Sequence, residues 1–498
     1  MNETQPDWHK LSRTVPLPTQ AFIDGQFSSA ADGRTFAVLN PSTGQPLVEL
    51  PALHQSDVDR AVRAARGAFE SGLWSAIAPR GRKKILRKLA ELIEARREEL
   101  ALLDSMAMGM PVSIASAHCV QWAIDSFEWY GEALDKLYDE VAPTDPSVLA
   151  LITREPVGVV GAVLPWNWPM GLLGWKVAPA LAAGNSVVLK PDEQTSLSAL
   201  RVAELAIAAG VPPGVFNVVT GGPAVGEMLG RHPDVDVLAF TGSSEVGKKF
   251  LRYSAESNMK PVWMECGGKG PNIIFADAPE PEAAARTAAF AIFLNTGQVC
   301  AAGSRLIVEE SIRERVLSTV CAVGAQLVPG DPLLAQTMLG PIAKIPQLEK
   351  VLGYIQLGKA EGAKLLTGGQ RALQHTGGYY VEPTVFDKVR NNMRIAQEEI
   401  FGPVLSAISF ASEQEALQIA NASSYGLSGG VWTQDLTRAH TLARRLRLGS
   451  VAVNAYADDA HDITVPFGGR KLSGFGRDKS LHALDKYVHL KTTWVKLG

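Results

Sequence analysis

Short runs of consecutive apolar residues, rich in valine and isoleucine, alternate with helical patterns through the middle of the chain. The first five runs are GVVGAVLP (158–165), SVVLKP (186–191), VFNVVTG (215–221), VLAFTG (237–242) and NIIFAD (272–277). Strands that are apolar on both faces are typical of a parallel sheet covered by helices on both sides. The pattern begins again after Cys300 with RLIVEE (305–310) and FGPVLSAISF (401–410). The sequence therefore predicts an α/β fold with two parallel-sheet domains.

Two further segments have β propensity but belong to neither series. They are 144–158, which contains VLALITREP, and 488–498, which reads VHLKTTWVKLG. An unpaired strand exposes backbone hydrogen-bonding groups and therefore tends to acquire a partner strand. We expect both segments to pair as edge strands, either within one subunit or across an interface between subunits.

Charge and hydropathy exclude two classes of partner. The net charge is −3 and the densest basic run is RGRKK (80–84), so a nucleic-acid partner is not expected. The most apolar region, 156–190, is interrupted by prolines, Asn167 and Lys176, and therefore does not read as a membrane span. The N-terminal MNETQPDWHK lacks the apolar core of a signal peptide, so we expect no membrane partner.

Cysteine usage bears on metal binding and on location. The chain has four cysteines, none in a CxxC pair and none at zinc-ligand spacing with histidines, so a metal site is not expected. Dispersed cysteines in a long chain without a signal peptide are typical of a reducing compartment, which predicts a cytoplasmic location.

The segment GSSEVGKK (242–249) resembles a phosphate-binding loop but lacks its last residue type. Lys249 stands where such a loop has the serine or threonine that holds Mg²⁺, so a nucleoside triphosphate site is not expected. The segment still follows a strand and opens a helix, and a glycine before a free helix N-terminus suits a pyrophosphate. A dinucleotide site and a simple helix-capping turn both remain open.

The segment LKPDEQT (189–195) places charged residues at the end of a predicted parallel strand. Ligands of open α/β sheets bind at this edge. A carboxylate on Glu193, three residues after Lys190, can accept a hydrogen bond from a ribose 2′-hydroxyl and would repel a 2′-phosphate, which favours NAD⁺ over NADP⁺. An ordinary helix N-terminus, in which Asp192 and Glu193 interact with the helix dipole, explains the same pattern, and both interpretations can hold.

A cysteine lies among small and polar residues in NTGQVCAAGSR (295–305). We expect Cys300 at the start of a helix, where the thiol pKa falls and the nucleophilic thiolate is favoured. A lone cysteine is more often structural than catalytic, but three other polar residues occupy similarly unusual places. Glu265 precedes a Gly-Gly pair, Asn167 lies between prolines, and Glu399 precedes an apolar loop. A thiolate, carboxylates and a rigid amide together indicate covalent redox chemistry on a carbonyl group.

In the order and spacing of seven motifs, the chain resembles the aldehyde dehydrogenase superfamily over essentially its whole length. The motifs are PWNWP, KPDEQT, FTGSSEVG, MECGGK, NTGQVCAAGSR, EEIFGPV and PFGGRKLSGFGRD. The resemblance implies two Rossmann-like parallel-sheet domains and a small β oligomerisation element. The implied boundaries are 1–137 and 157–266 for an NAD-binding domain, 267–477 for a catalytic domain, and 138–156 with 478–498 for oligomerisation.

The same resemblance implies a role for each catalytic residue. Cys300 attacks an aldehyde to give a thiohemiacetal, while the side chain of Asn167 and the backbone N–H of Cys300 hold its oxyanion. Hydride passes to NAD⁺ and leaves a thioester, which is hydrolysed by water that Glu265 activates. The residues implied for NAD binding are Trp166, Lys190, Glu193, Gly242, Ser243, Glu399 and Phe401.

Within the superfamily, the resemblance is closest to the bacterial aminoaldehyde branch, the γ-glutamyl-γ-aminobutyraldehyde and guanidinobutyraldehyde dehydrogenases. ESNMKPVWMECGGKGPNIIFADAP (256–279) and GRDKSLHALDKY (476–487) carry this similarity. It implies an ω-amino or ω-substituted aldehyde as substrate, and the superfamily implies a homodimer or homotetramer. The residues expected to contact the substrate are Trp129, Trp168, Trp175, Asp458 and Asp459.

Alternatives to this substrate and to this reaction remain. Aromatic walls hold rings and methylenes as well as ammonium groups, and the two aspartates can simply face solvent, so an aromatic or medium-chain aliphatic aldehyde is the main alternative. A dehydrogenase that passes the acyl group to coenzyme A is disfavoured by Glu265, because a water-activating base shortens the life of a thioester. A non-catalytic protein of the same fold is disfavoured by the intact set of Cys300, Glu265 and Asn167.

Overall fold

The computed structural model describes residues 6–457 and 462–497. The helices are α1 (Trp8–Ser12), α2 (Gln55–Glu70), α3 (Pro79–Glu94), α4 (Arg97–Met108), α5 (Val112–Ile114), α6 (Gln121–Ala133), α7 (Pro169–Ala182), α8 (Leu197–Ala209), α9 (Pro223–Arg231), α10 (Ser244–Ala255), α11 (Pro281–Phe293), α12 (Arg313–Gln326), α13 (Ile345–Ala360), α14 (Arg394–Gln397), α15 (Glu413–Asn421) and α16 (Leu436–Arg445). The strands are β1 (Ala21–Ile23), β2 (Gln26–Ser28), β3 (Thr35–Asn40), β4 (Gln45–Pro51), β5 (Glu140–Ala142), β6 (Val148–Pro156), β7 (Val159–Val163), β8 (Ser186–Lys190), β9 (Phe216–Val218), β10 (Val237–Thr241), β11 (Val262–Glu265), β12 (Pro271–Ile274), β13 (Arg305–Glu309), β14 (Lys364–Thr367), β15 (Arg371–Ala372), β16 (Tyr380–Val381), β17 (Thr384–Asp387), β18 (Val404–Phe410), β19 (Ser428–Trp432), β20 (Ser450–Val453), β21 (Gly474–Phe475) and β22 (Val488–Lys496).

The first sheet has the strand order β2-β1-β9-β8-β7-β10-β11-β21. Its central strands, from β9 to β11, run parallel, while β1, β2 and β21 pair antiparallel at the edges. The first four apolar runs of the sequence form β7 to β10, and every residue of those strands is buried. Residues buried on both faces are what the unbroken apolar runs predict.

The second sheet has the strand order β14-β17-β18-β13-β12-β19-β20. All of its neighbouring strands are parallel except β14, which pairs antiparallel with β17. The fifth apolar run of the sequence forms β12 and joins this sheet, so the chain passes from one sheet to the other between Glu265 and Pro271.

A third sheet, of order β22-β6-β5, is formed by the two segments that the sequence sets apart. β22 pairs antiparallel with β6 along its whole length, from Val488 opposite Pro156 to Lys496 opposite Val148. The expected pairing of edge strands is therefore found within one chain. Strand β21 (residues 474–475) pairs with β11 and so belongs to the first sheet. The implied boundaries assign these two residues to the catalytic domain.

Some helices bury one face and expose the other, as α3 does, whereas α7 is buried along its whole length and on every face. In α3 the buried positions Leu86, Leu89, Ala90 and Ile93 follow the spacing of one helix face, and the remaining positions are mostly charged. The helices in the described part of the chain reach 16 residues at most, as in α2, α3 and α13. None of these described helices has both the length and the apolar character needed to cross a bilayer.

Candidate active site

The carboxyl ends of the central strands of the first sheet open into a cavity of about 650 Å³. This volume lies within the range of roughly 300–1,000 Å³ that is usual for small-molecule sites. The cavity brings together side chains from loops of both large sheets. The predicted site residues that line it are Asn167, Glu265, Cys300, Trp166, Lys190, Glu193, Gly242, Ser243, Glu399, Phe401, Trp168 and Trp175.

Cys300 lies in a turn between a 3₁₀ segment, Leu294–Gly297, and strand β13. The predicted helix N-terminus at this cysteine is therefore wrong. Asn295, Thr296 and Gly297 have φ angles of 48°, 57° and 70°, and three successive left-handed residues reverse the chain before a helix can begin. The turn then leads directly into β13, so the half-buried thiol is presented by a tight loop.

Burial, together with the negative charges of Glu399 and Glu265, raises the pKa of the Cys300 thiol to about 12. The backbone N–H groups of Ala301 and Cys300 oppose this rise. The thiol is therefore protonated at neutral pH in the protein alone. A positive charge brought into the cavity would lower this pKa, because a nearby cation stabilises the thiolate.

Asn167 is held rigidly beside the cysteine loop. Its Nδ2 donates a hydrogen bond to the backbone carbonyl oxygen of Gln298 at 2.8 Å, and the backbone carbonyl oxygen of Asn167 accepts one from Asn295 Nδ2 at 2.9 Å. The side chain is 3% exposed. A primary amide has two N–H groups, so one remains available for a ligand oxygen in the cavity.

Glu265 ends strand β11 and lines the cavity. The residue is 5% exposed, and neither carboxylate oxygen has a hydrogen-bond partner among the described residues. Burial and the negative charge of Asp478 raise its pKa well above the ordinary value, although Lys176 and Lys486 act in the opposite direction. A carboxylate with a raised pKa is a stronger base when ionised, and its unpartnered oxygens are open to a water molecule.

A buried cluster of three charged residues lies on the Glu265 side of the cavity and was not predicted from the sequence. Lys176 Nζ lies 2.7 Å from Asp478 Oδ2, and Lys486 Nζ contacts Asp478 Oδ1. Burial raises the pKa of Asp478, but the two lysines outweigh this effect and hold it below the ordinary value. Burial lowers the pKa of Lys486 to about 8. The only sequence signal was Lys176 itself, a charge inside an otherwise apolar stretch.

Another part of the cavity is lined by Lys190, Asp192 and Glu193, and a second lysine lies behind them. Lys190 Nζ lies 3.5 Å from Glu193 Oε2, as the segment LKPDEQT suggested. A further cation, Lys344, was not predicted, and its Nζ lies 2.9 Å from Glu193 Oε1 and 2.6 Å from Asp192 Oδ1. Burial raises the pKa of Glu193, but the two lysines outweigh it and the net shift is downward. Glu193 is therefore ionised at neutral pH.

The N-terminus of α10 also lines the cavity. Ser243 is its N-cap residue, and its Oγ accepts a hydrogen bond from the Val246 N–H at 3.3 Å. Both sequence interpretations are thus compatible with the geometry, since the capping turn also lines the cavity. A Cβ at Gly242 would lie 2.5 Å from the ring of Phe240, so a glycine is needed where the chain turns towards the helix.

Glu399, Phe401 and Trp166 form the wall nearest to the cysteine loop. Glu399 Oε1 accepts a hydrogen bond from the Gly268 N–H at 2.8 Å. The rings of Trp166 and Phe401 meet edge to face, with centroids 5.7 Å apart. A Cβ at Gly267 would lie 2.1 Å from Glu399 Oε2, so the backbone approaches this carboxylate as closely as only glycine permits.

A chain of four aromatic rings forms the remaining wall. Trp122 lies 4.7 Å from Trp168 and stacks on Trp175 at 5.6 Å between ring centroids, and Trp175 lies 5.4 Å from Phe467. The contact of Trp129 with the substrate stays a prediction, and Trp129 is not among the residues that line this cavity. Trp129 follows Trp122 by two turns on α6, which places it about 10 Å farther along the helix axis.

Two other parts of this region bear on the predicted substrate contacts. Asp458 and Asp459 lie outside the described residues. Lys479, which was not predicted, is buried behind the aromatic wall, with Nζ 5.5 Å from the ring centroid of Trp175 and 5.6 Å from that of Phe467. Within the described ranges, no three or more His, Cys, Asp and Glu side chains are grouped so as to hold a metal ion.

Comparison with known proteins identifies the family. The sequence profile of the aldehyde dehydrogenase family matches residues 27–493. The chain belongs to the aldehyde dehydrogenase family. The predicted superfamily is therefore confirmed, and so is the predicted enzyme class.

Individual relatives cover almost the whole of this aldehyde dehydrogenase. It is 48% identical to the NADP/NAD-dependent aldehyde dehydrogenase PuuC of Escherichia coli over 98% of each chain. Among solved structures, it is 51% identical to the indole-3-acetaldehyde dehydrogenase AldA of P. syringae in complex with NAD⁺ and IAA, with a TM-score of 0.97 over 99% of each chain. It is 49% identical to the gamma-glutamyl-gamma-aminobutyraldehyde dehydrogenase of Burkholderia cenocepacia J2315, with the same TM-score over 99% of each chain. The predicted α/β fold is confirmed by these similarities.

The cleft of this aldehyde dehydrogenase fits an NAD molecule in the chemistry of its donors and acceptors. Glu193 and Glu399 supply carboxylates at two separate points, as the hydroxyls of two riboses require. The N-terminus of α10, with Ser243, lines the same cleft and suits a pyrophosphate. Trp166 and Phe401 provide apolar ring surfaces next to the cysteine loop, as a nicotinamide ring requires.

Proposed function

We propose that this aldehyde dehydrogenase oxidises an ω-amino or ω-substituted aldehyde to the carboxylic acid with NAD⁺. The observation that carries the proposal is one cavity lined by a thiol, an unpartnered carboxylate, a rigid amide and an acid–lysine group. We assign catalysis to Cys300, Glu265 and Asn167. The residues that we assign to NAD⁺ are Trp166, Lys190, Glu193, Gly242, Ser243, Glu399 and Phe401.

In the first half of the reaction, the Cys300 thiol releases its proton to solvent, the thiolate sulfur forms a bond to the aldehyde carbon, and the carbonyl electron pair moves to oxygen. The free N–H of the Asn167 amide and the backbone N–H of Cys300 donate to this oxyanion and hold the carbon near the sulfur. When bound, NAD⁺ supplies the acceptor for the hydride that leaves this carbon. The carbon is thereby oxidised by two electrons and remains attached to Cys300 as a thioester.

In the second half, Glu265 takes a proton from a water molecule, and the water oxygen attacks the thioester carbon. The carbon–sulfur bond breaks, the Cys300 thiol is restored, and the carboxylic acid leaves with one oxygen from water. The two unpartnered oxygens of Glu265 and its raised pKa support this role, since the carboxylate has no competing hydrogen bond in the protein. The buried lysines around Asp478 offer a counter-charge when Glu265 ionises.

The substrate proposal is supported by similarity and by the aromatic wall. One of the solved relatives is named for an aminobutyraldehyde derivative. The faces of Trp168 and Trp175 attract ammonium groups and also pack against the methylenes of an alkyl chain. Asp458 and Asp459, which the sequence places between β20 and the PFGG segment, would attract a positive tail.

A second candidate is an aromatic aldehyde, and one specific observation favours it. Trp122 and Trp175 are stacked on each other, and rings in this arrangement offer a surface on which another flat ring can pack. The P. syringae relative is named for indole-3-acetaldehyde.

Steady-state kinetics with matched aldehydes distinguishes the candidates. We expect kcat/KM for 4-aminobutanal to exceed that for hexanal and for indole-3-acetaldehyde at saturating NAD⁺. The variant Asp458→Asn/Asp459→Asn should reduce this advantage, because the positive tail loses its counter-charge. A wild-type preference for indole-3-acetaldehyde would reject the aminoaldehyde proposal in favour of the aromatic one. Absence of NADH formation with every aldehyde would reject the enzymatic proposal.

We further propose that the chain forms a homodimer or homotetramer through the third sheet. Among the residues that the structure describes, strand β22 has a neighbouring strand on one side only, and its Leu490 and Trp494 are 66% and 63% exposed. An exposed apolar edge strand tends to be covered by another chain. Light scattering at micromolar concentration should give a mass of two or four times 53.3 kDa, and a monomer would contradict the proposal.

The predicted cytoplasmic location also stays a proposal. It is supported by the four cysteines, which are all unpaired, as expected in a reducing compartment. Fractionation of cells that produce the protein should recover it with the cytosolic markers, and recovery with secreted protein would contradict this.

A further inference from the structure

The Glu193 carboxylate is shared between two lysines. Its Oε2 lies 3.5 Å from Lys190 Nζ and its Oε1 lies 2.9 Å from Lys344 Nζ. Lys344 also contacts both oxygens of Asp192, at 2.6 and 2.8 Å. Two acids and two lysines thus form one compact group whose formal charges cancel.

Lys344 lies directly behind the lining of the cofactor cleft, with its ammonium group against Asp192 and Glu193, which both line the cavity. It is the N-cap residue of α13, a helix of 16 residues, and the partial positive charge of that helix end adds to its own. Its Nζ lies 5.0 Å from the ring centroid of Trp166, which lines the cavity together with Glu193. The side chain is largely buried, since 19% of it is exposed.

The charge at this point matters because NAD⁺ and NADP⁺ differ only at the adenosine ribose. NADP⁺ carries a 2′-phosphate with a charge of about −1.5 to −2 at neutral pH, where NAD⁺ has a hydroxyl. A lone carboxylate at Glu193 would repel this phosphate. Here the repulsion is offset by the two lysines that contact Glu193. The ammonium group of Lys344 can in addition donate hydrogen bonds to phosphate oxygens.

We propose that Lys344 determines cofactor selectivity, by holding the Glu193 carboxylate and offering its ammonium group to a 2′-phosphate, so that the enzyme accepts NADP⁺ as well as NAD⁺. The inference rests on the proposed function, because that function assigns the adenosine ribose to Lys190 and Glu193. It departs from the sequence expectation that Glu193 alone repels the phosphate.

Equilibrium binding tests the proposal without turnover. The affinities of NADH and NADPH are measured by nucleotide fluorescence on protein that carries Cys300→Ala, with Lys344→Gln, Lys344→Arg or Glu193→Gln added. The matched control is Lys84→Gln, which removes one exposed lysine of α3 outside the cavity lining. Circular dichroism melting of each variant confirms that it is folded.

With Lys344 intact, we expect NADPH to bind within about tenfold of NADH. Lys344→Gln should weaken the binding of NADPH at least about tenfold more than that of NADH. The 2′-phosphate loses the cation that would bind it, and the Glu193 carboxylate loses a lysine that offsets its charge. Lys344→Arg should retain NADPH binding, Glu193→Gln should tighten it, and Lys84→Gln should change neither nucleotide.

Equal weakening of both nucleotides by Lys344→Gln would overturn the proposal, since Lys344 would then only support the fold of the cleft. The proposal would also be overturned if the Cys300→Ala protein with Lys344 intact failed to bind NADPH. The same holds if that protein binds neither nucleotide. Should both nucleotides bind while the wild type oxidises no aldehyde, the proposed function fails and the selectivity role of Lys344 stands.

Discussion

Asn167 Nδ2 lies 2.8 Å from the carbonyl oxygen of Gln298, two residues before Cys300. This bond ties the loop that follows β7 to the loop that precedes β13, and therefore joins the two large sheets at the reacting sulfur. The amide cannot rotate away without breaking it, and the side chain is almost completely buried. The orientation of the second amide N–H is thus fixed before any substrate binds.

Replacing Asn167 by alanine should remove one donor to the oxyanion. We expect kcat to fall by about 10²–10³, the usual cost of losing one such donor, with a much smaller change in the affinity for NADH. Steady-state kinetics and nucleotide fluorescence measure the two quantities. A kcat within about threefold of the wild type would assign the amide a structural role only.

Cys300→Ala should abolish aldehyde oxidation and leave nucleotide binding intact, because the thiol supplies the covalent bond and not a cofactor contact. The matched control is Cys321→Ala, which removes a half-buried cysteine that lies outside the cavity and should leave the activity unchanged. Residual oxidation at wild-type rate in the Cys300 variant would reject the nucleophile.

Glu265→Gln should slow hydrolysis of the thioester more than its formation. Rapid mixing should then show a burst of NADH equal to the enzyme concentration, followed by a slow steady state. Coenzyme A added to this variant tests the alternative acyl transfer, since acyl-CoA would accumulate if the thioester were passed on. A steady state without a burst would mean that Glu265 acts before the thioester is formed.

Glu399→Gln should lower the pKa of the Cys300 thiol, because the Glu399 charge is one of the causes that raise it to about 12. Below the pKa, the thiolate fraction grows about tenfold for each unit by which the pKa falls, so alkylation by iodoacetamide at pH 8 should be faster than in the wild type. Glu398→Gln is the control, since Glu398 pairs with Arg394 at 2.7 Å on the surface side. Equal alkylation rates in all three proteins would contradict the effect.

Asp478→Asn should destabilise the protein, because two buried lysines lose their shared counter-charge. The expected loss is about 3–5 kcal/mol, as for the breaking of other buried ion pairs. Because the folded-state pKa of Asp478 lies below the unfolded value, the stabilisation is present above about pH 4 and decreases as the pH falls. Thermal unfolding at pH 7 and at a pH of about 2, well below the unfolded pKa, measures both effects. A difference between variant and wild type that does not shrink at the lower pH would reject the charge as its cause.

Local sequence patterns were sufficient for the strands and for the residues at their ends. Unbroken apolar runs predict buried parallel strands, and the residue that follows such a strand must lie at the carboxyl edge of the sheet, as Lys190 and Glu265 do. The glycine and alanine residues around Cys300 are compatible with a helix, so the left-handed backbone of Asn295 and Thr296 was not predictable from composition.

Contacts between distant parts of the chain explain the residues that were missed. Lys344 meets Glu193 across 151 positions of sequence, and Lys176 meets Asp478 across 302. Such pairs are fixed by the packing of the two large sheets and leave no periodic signal. Trp129 lies on a correctly predicted helix but outside the cavity lining, since a helix assignment alone does not tell which of the turns reaches the cavity.

Gly267 and Gly268 bring the backbone against the reacting centre with no side chain between. A Cβ at Gly268 would lie 2.4 Å from the carbonyl oxygen of Cys300, and one at Gly267 would overlap the Glu399 carboxylate. A directed-evolution library aimed at new aldehydes would therefore lose nearly every clone that varies these two positions. Diversity placed at Trp122 and Trp168, whose rings border open space, would instead change which aldehydes are accepted while leaving the sulfur where it is.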